Sequence, residues 1–313
     1  MKKVLFLVIG FVLAAIALIY LLIPSRIMIS AAKIAHSPDV AIERLLLDES
    51  QWPSWWPNTE LNKFPQARFQ QQDYTFTLSQ KFYKSVEIAI QRNTDPALLS
   101  RLSLVPLRTD STGIEWTCQL ESGNNPFQRI KNYWKARSIK EQMDTALNSC
   151  ARFFSHIEKV YGINIERTQL PDTLFVTARV LTRSVPNQME RYALIRKIEA
   201  YITAQGTKPT GSPIYNVTRY DDQKFQLMAG VPVTTRIPEK NNFSLKYMVK
   251  GSFMVTEVLG GESKVKWAAA QLKQYFQDYK KTSMAMSFTM LVTDRMLQTD
   301  SSRWITRLYE PVY

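Results

Sequence analysis

The residues best suited to chemistry in this chain are aromatic rather than nucleophilic. Trp52, Trp55 and Trp56 fall within "QWPSWWPN" (51–58), bracketed by two prolines. Such a set serves either as a stacking box for a flat ligand or as a hydrophobic plug that closes one end of a fold. "FQRIKNYWKAR" (127–137) interleaves Arg129, Lys131, Lys135 and Arg137 with Phe127, Tyr133 and Trp134. It suits a nucleic-acid or lipid-headgroup surface, or, more simply, a strand end and loop whose cationic edge blunts pairing. Cys118 and Cys150 have neither CxxC nor metal-ligand spacing, and read as a disulfide of an exported domain or as two buried thiols. His36 and His156 lie far apart at element edges and read as structural. The chain has no G-x-S-x-G, P-loop, G-x-G-x-x-G or H-E-x-x-H motif. No catalytic residue, metal or cofactor is therefore expected.

Something must position those aromatics. The chain has 313 residues, 45% hydrophobic and 21% charged, enough for two globular domains. Ahead of them runs "VLFLVIGFVLAAIALIYLLI" (4–23), uncharged throughout. At about 1.5 Å per residue this run spans a hydrocarbon core of roughly 30 Å. It is longer than a signal-peptide core and ends in "IPSR" without a small-x-small site, so an uncleaved single-pass anchor over 1–25 is expected. Lys2 and Lys3 favour a cytoplasmic N-terminus, which places the remainder outside the cytoplasm of a bacterial inner membrane; Arg26 and Lys33 on the other flank pull against that bias. The net charge of +13 is concentrated in residues 166–313, where 21 Lys/Arg face 13 Asp/Glu. An anionic membrane, an acidic ligand or solubility would each account for it. Nucleic acid is not expected as a partner, because no binding motif accompanies the anchor.

Residues 26–162 form the first expected domain. "RIMISAAKIA" reads as a strand, and Ser37-Pro38 opens the helix "VAIERLLLD", with Ser37 as its N-cap. "DYTFTLSQ", "KSVEIAIQR", "LSRLSLVPL" and "GIEWTCQLES" follow at strand lengths. A long helix from Ser138 then carries Ile139, Met143, Ala146, Leu147, Cys150, Phe153, Phe154 and Ile157 at spacings of three and four. This order, with its "SPDVAIERLLLDESQWPSWWP" entry, resembles the START-like helix-grip superfamily of polyketide cyclases and lipid-transfer proteins. The resemblance implies an antiparallel sheet wrapped around the long helix and an apolar cavity bordered by Trp55, Trp56 and Trp116. It equally implies that the tryptophan segment packs over the open end of the sheet.

Residues 163–313 contain a duplication. "FVTARVLTRS" (175–184) is echoed by "FMVTEVLGGE" (253–262), and "LMAGVPV" (227–233) by "RLYEPV" (307–312). Between these markers lie the amphipathic helices "NQMERYALIRKIEAYITAQG" and "SKVKWAAAQLKQYFQDYKK". Each copy, 174–233 and 252–313, therefore reads β-α-β-β. With "SPIY" and "VLGGE" as its better motifs, the duplication resembles the gyrase-inhibitor-like effector-binding family, also found in AraC- and MerR-type regulators. The resemblance implies a groove between the halves that takes small, often lipophilic and cationic molecules, lined here by Tyr192, Tyr215, Phe225, Trp267, Trp304 and Tyr309. It also implies a groove glutamate on the last strand of a copy. Here those places fall at Met228 and Arg307, while Glu310 is one pleat step off and is expected on the opposite face. The expected class is thus α+β: an apolar helix, a helix-grip sheet and a duplicated β-α-β-β domain. The expected function is membrane-anchored binding of a small hydrophobic or amphipathic ligand, neutral or anionic because of Arg307. A hydrolase using the second domain, or an envelope scaffold for a protein partner, are the alternatives.

Overall fold

A computed structural model describes residues 2–57, 68–170, 173–248, 251–283 and 285–312, so Asn58 at the end of the tryptophan segment lies outside the described residues. The chain divides into two compact units, Met1–Val160 and Tyr161–Tyr313. It is an α+β protein, with an apolar helix followed by two antiparallel sheets.

In the first unit, α1 (Lys2–Leu22) contains the stretch Lys3–Leu22, whose mean hydropathy of 3.0 and length suffice to cross a membrane. After it come β1 (Arg26–Ala35), α2 (Asp39–Leu46), a 3-10 turn (Glu49–Ser54), β2 (Arg68–Gln71), β3 (Tyr74–Phe82), β4 (Ser85–Arg92), β5 (Leu98–Arg108), β6 (Ser111–Glu121) and α3 (Pro126–Phe154). The sheet order is β1-β6-β5-β4-β3-β2, so the first strand pairs with the last, from Arg26↔Glu121 to Ala35↔Thr112. The apolar stripe of α3 (Ile139, Met143, Ala146, Leu147, Cys150) is buried, and α3 packs along β1 and β6. This is a helix-grip arrangement, in which alternation along each strand supplies one apolar face and the long helix covers it.

Three expectations change here, the first being that Ile157, expected on the long helix, lies beyond its end at Phe154. The segment 127–137 is not a strand end and loop but the first turns of α3, which starts twelve residues earlier than its apolar stripe suggests. Asn125 caps it, accepting from the Phe127 N–H at 2.9 Å, and Pro126 takes the first turn. A cap followed by proline, with Arg, Lys, Gln and Ala inside, outweighs the strand preference of three aromatics. Ser37 does not cap α2; Pro38 occupies that position, and the Ser37 hydroxyl is buried without a partner among the described residues. Cys118 on β6 and Cys150 on α3 are free and buried; burial pushes the Cys118 thiol up to about 12 and the Cys150 thiol up as well.

The second unit contains β7 (Glu166–Leu170), β8 (Thr173–Thr182), α5 (Gln188–Ala204), β9 (Ile214–Arg219), β10 (Phe225–Val233), β11 (Ser244–Met248), β12 (Gly251–Leu259), α6 (Glu262–Asp278), β13 (Phe288–Leu291) and β14 (Ile305–Val312); a short helix, α4 (Ile157–Tyr161), precedes them. One sheet holds all eight strands in the order β11-β8-β10-β9-β13-β14-β12-β7. Exchanging β7 with β11, β8 with β12, β9 with β13 and β10 with β14 reproduces the same order read backwards. The duplication is therefore a pseudo-two-fold whose axis passes between β9 and β13. Each repeat also lends its leading strand to the other's edge, since β7 pairs with β12 and β11 with β8. That exchange adds two ladders between the halves to the short β9–β13 ladder at the centre of the sheet.

Candidate functional site

Strand register decides which side chains meet. Thr289 on β13 pairs with Tyr215 on β9 and with Leu308 on β14, so these three share one face. Tyr215 belongs to the core cluster that includes Ile195, Ile198 and Ile202 of α5, which makes this the helix face. Glu310, two residues beyond Leu308, lies on it as well. Between α6 and the central strands this face encloses a cavity of about 290 Å³, lined by Tyr215, Val265, Leu272 and Leu308, with Arg191, Glu262, Lys266 and Glu310 as its charged groups; Tyr309 also borders it.

The charged groups differ in their surroundings. Arg191 Nη1 donates to Glu262 Oε1 at 2.8 Å and to the Tyr215 hydroxyl at 3.0 Å, and its guanidinium lies 4.8 Å from the Tyr215 ring centre. Arg295 Nη1 donates to the other oxygen, Glu262 Oε2, at 3.0 Å, and Arg295 Nη2 to the Thr306 hydroxyl at 2.7 Å. Partial burial pushes the Glu262 carboxyl up, but the hydrogen bonds and charges of Arg191 and Arg295 outweigh it and hold the group below its usual value. Its place in the first turn of α6 adds the favourable end of the helix dipole. Glu310 is the opposite case. Loss of solvent raises it above the usual carboxylate value, and Lys273 only partly opposes that rise. Burial also raises the Tyr215 phenol.

The sequence-derived groove positions scatter. Tyr215 and Tyr309 reach the cavity. Tyr192 accepts from the Arg295 N–H at 2.9 Å and borders a separate hollow with Arg196, Glu199 and Asp294. Phe225 begins β10, opposite Arg219 and Thr182. Trp304 donates to the Gln298 carbonyl at 2.7 Å, with Arg295 over its ring at 4.8 Å. Trp267 packs beside Gly162, where an added Cβ would come within 2.7 Å of the indole; Gly162 also sits at φ +70°, so glycine is required twice over.

The structure exchanges the faces expected for Arg307 and Glu310. Met228 pairs with Asn216 whereas its neighbour Ala229 pairs with Tyr215, which turns Met228 away from the helix face. Arg307 shares that reverse face and pairs with Glu257 at 2.8 Å, while Glu310 enters the cavity. A one-residue displacement in assigning the inward face flips every side chain of a strand, and that accounts for the difference. Arg191 and Glu262 had no groove role in the sequence reading. The available signal was their position in the first turns of the two repeat helices.

In the first unit, Trp52, Trp55 and Trp56 form one buried cluster with ring centres 5.1–5.8 Å apart. Phe69 and Phe76 lie 5.1 Å from Trp56, and Trp116 lies 6.3 Å from it. Trp52 Nε1 donates to the Leu46 carbonyl at 2.8 Å, and Trp116 Nε1 to the Ser100 hydroxyl at 2.9 Å. The indole N–H groups of Trp55 and Trp56 have no partner among the described residues.

No family model and no curated protein matches this sequence. Solved structures do. The C-terminal domain of EcmrR is similar at 15% identity, covering 48% of this chain and 98% of that one, with a TM-score of 0.43. SAV2435 bound to tetraphenylphosphonium is similar at 15% identity, covering 48% and 94%, with a TM-score of 0.33. A START superfamily protein from Mycobacterium smegmatis is similar at 17% identity, covering 40% and 97%, with a TM-score of 0.29.

Proposed function

We propose that the second unit binds a small amphipathic molecule in the cavity beside α6, and that α1 holds this binding unit at a membrane, where it acts as a sensor, carrier or scavenger. The observation that carries the reading is Glu310. Its carboxyl group is half-buried on the cavity and raised by loss of solvent, a rise that Lys273 opposes only in part, whereas Glu262 on the same cavity is neutralised by two arginines. A ligand that brings a hydrogen-bond donor or a positive charge to Glu310 replaces the lost solvation, and its apolar body covers Leu308, Leu272 and Val265. This reverses the neutral or anionic preference expected from Arg307.

Titrating matched cationic, neutral and anionic dyes into the full-length protein in detergent tests the reading. The cationic dye is expected to bind tightest and to lose roughly 10- to 100-fold in Glu310→Gln, the range for a charge-assisted hydrogen bond. Tighter binding of the anionic dye, or an unchanged affinity in Glu310→Gln, overturns it. The raised carboxyl also supports a second reading, a hydrolase in which Glu310 is the general base. In that case Glu310→Gln abolishes turnover of an ester or epoxide probe and leaves its binding intact.

A further inference from the structure

One helix changes character along its length. In the second half of α3 the solvent-exposed positions are Lys140, Glu141, Thr145, Asn148 and Arg152, all polar. In the first turns the exposed positions include Phe127 (80% exposed), Ile130, Tyr133 and Trp134 (58% exposed). Phe127, Ile130 and Trp134 recur at i, i+3 and i+7, so they form one stripe, opposite the face on which Arg129, Ala136, Ile139 and Met143 are buried. From Pro126 to Lys140 the helix carries five basic residues and no acidic one.

The stripe begins beside the end of α1. Buried Arg129 donates through Nη1 to the Ile23 carbonyl at 2.8 Å and through Nε to the Gly123 carbonyl at 3.1 Å, and its guanidinium lies 4.2 Å from the Tyr20 ring centre. The Tyr20 hydroxyl donates to the Asn124 carbonyl. These bonds hold the first turn of α3 level with the last turn of α1. The apolar run of α1 matches a hydrocarbon core of roughly 30 Å, beyond which each headgroup layer adds about 5–8 Å. Ile23 then marks the boundary, and the turns starting at Phe127 fall in the headgroup layer, where aromatic and basic residues are favoured.

We propose that the first turns of α3 are a lipid-contact surface, with Phe127, Ile130 and Trp134 set into the headgroup layer and Lys131, between them on the same stripe, meeting anionic phospholipid. The occupant is the bilayer around α1, because the stripe is continuous with the anchor and its charge complements anionic lipid. The proposal rests on α1 spanning the membrane.

The test uses full-length protein in phosphatidylcholine vesicles with and without phosphatidylglycerol, carrying single nitroxide labels at Leu13→Cys, Phe127→Cys, Trp134→Cys or Thr145→Cys. The native thiols are buried, and the four label positions are exposed. Collision with lipid-soluble oxygen and with a water-soluble nickel chelate reports depth. The label at Leu13 should be deep and that at Thr145 aqueous. At Phe127 and Trp134 the oxygen-to-nickel ratio should be several-fold above that at Thr145, and higher still with phosphatidylglycerol. A deep Leu13 with Phe127 and Trp134 as aqueous as Thr145 overturns the surface alone. An aqueous Leu13 overturns the anchor and the surface with it. Labels at Phe127 and Trp134 shielded from both reagents mean that a protein or a second copy covers the stripe, which also overturns the proposal.

Discussion

The tryptophan cluster of the first unit and the cavity of the second both gather aromatic residues, yet they solve opposite problems. Around Trp52, Trp55 and Trp56 the neighbours are other rings, so burial itself is the stabilising term. The cavity that Tyr215 lines also holds Arg191, Glu262 and Glu310, and burial there exacts a cost that specific hydrogen bonds must offset. Aromatic content alone therefore does not mark a site. A half-buried carboxyl group with its value raised does so better.

The largest expected effect tests the first side of this comparison. Trp52→Ala removes a fully buried ring and its bond to the Leu46 carbonyl, and should cost about 4–5 kcal/mol in denaturant unfolding. A loss below about 1 kcal/mol would show that the cluster is not the packed core of the unit.

Next is Glu262→Gln, which strips the shared partner from two buried guanidinium groups. About 3 kcal/mol is expected, at the low end for a broken buried pair because Glu262 keeps a third of its exposure. The pH dependence should follow the same group. Its folded value is lowered, so its contribution is present above the unfolded value near 4.5 and is lost as the pH falls through the folded value. Thermal unfolding across acidic pH should show this loss in the wild type and not in Glu262→Gln.

Glu310 should behave with the opposite sign. Its folded value is raised, so the native state binds the proton more tightly than the unfolded chain, and stability is lost as the pH rises from 4.5 through that value. Glu310→Gln should accordingly stabilise the unligated protein at neutral pH, by under about 1 kcal/mol once solvent screening is allowed for, and do nothing in acid. Destabilisation at neutral pH would place a structural partner on the carboxyl group.

The smallest expected effect concerns Arg307, whose ion pair with Glu257 is close to half exposed on both sides. Arg307→Ala should change stability by about 0.2–1 kcal/mol and leave dye affinity unchanged. A large affinity change would return Arg307 to the binding site.

The elements of both units were legible in the sequence because hydrophobic period and strand length are local properties. "RIMISAAKIA" coincides with β1, and the two β-α-β-β copies were visible through "GVPV", "YEPV" and their helices. The edge exchange of β7 and β11 was not legible, since pairing partners far apart in sequence are chosen by the closing sheet. The start of α3 was missed because three aromatics looked strand-like, although the decisive signal, Asn125-Pro126, was local.

Sequence by itself determined the apolar segment, the duplication, the absence of a familiar catalytic motif and the basic bias of the second half. Only tertiary structure decided which face of β14 looks inward, and with it the exchange of Arg307 for Glu310. The physical reason is the two-residue period of a strand, in which a displacement of one position costs nothing in local propensity and inverts every side chain. The same holds for α3. Its first turns are a sequence of rings and cations until Arg129 fastens them to the end of α1, and only that contact sets the exposed stripe beside the apolar helix.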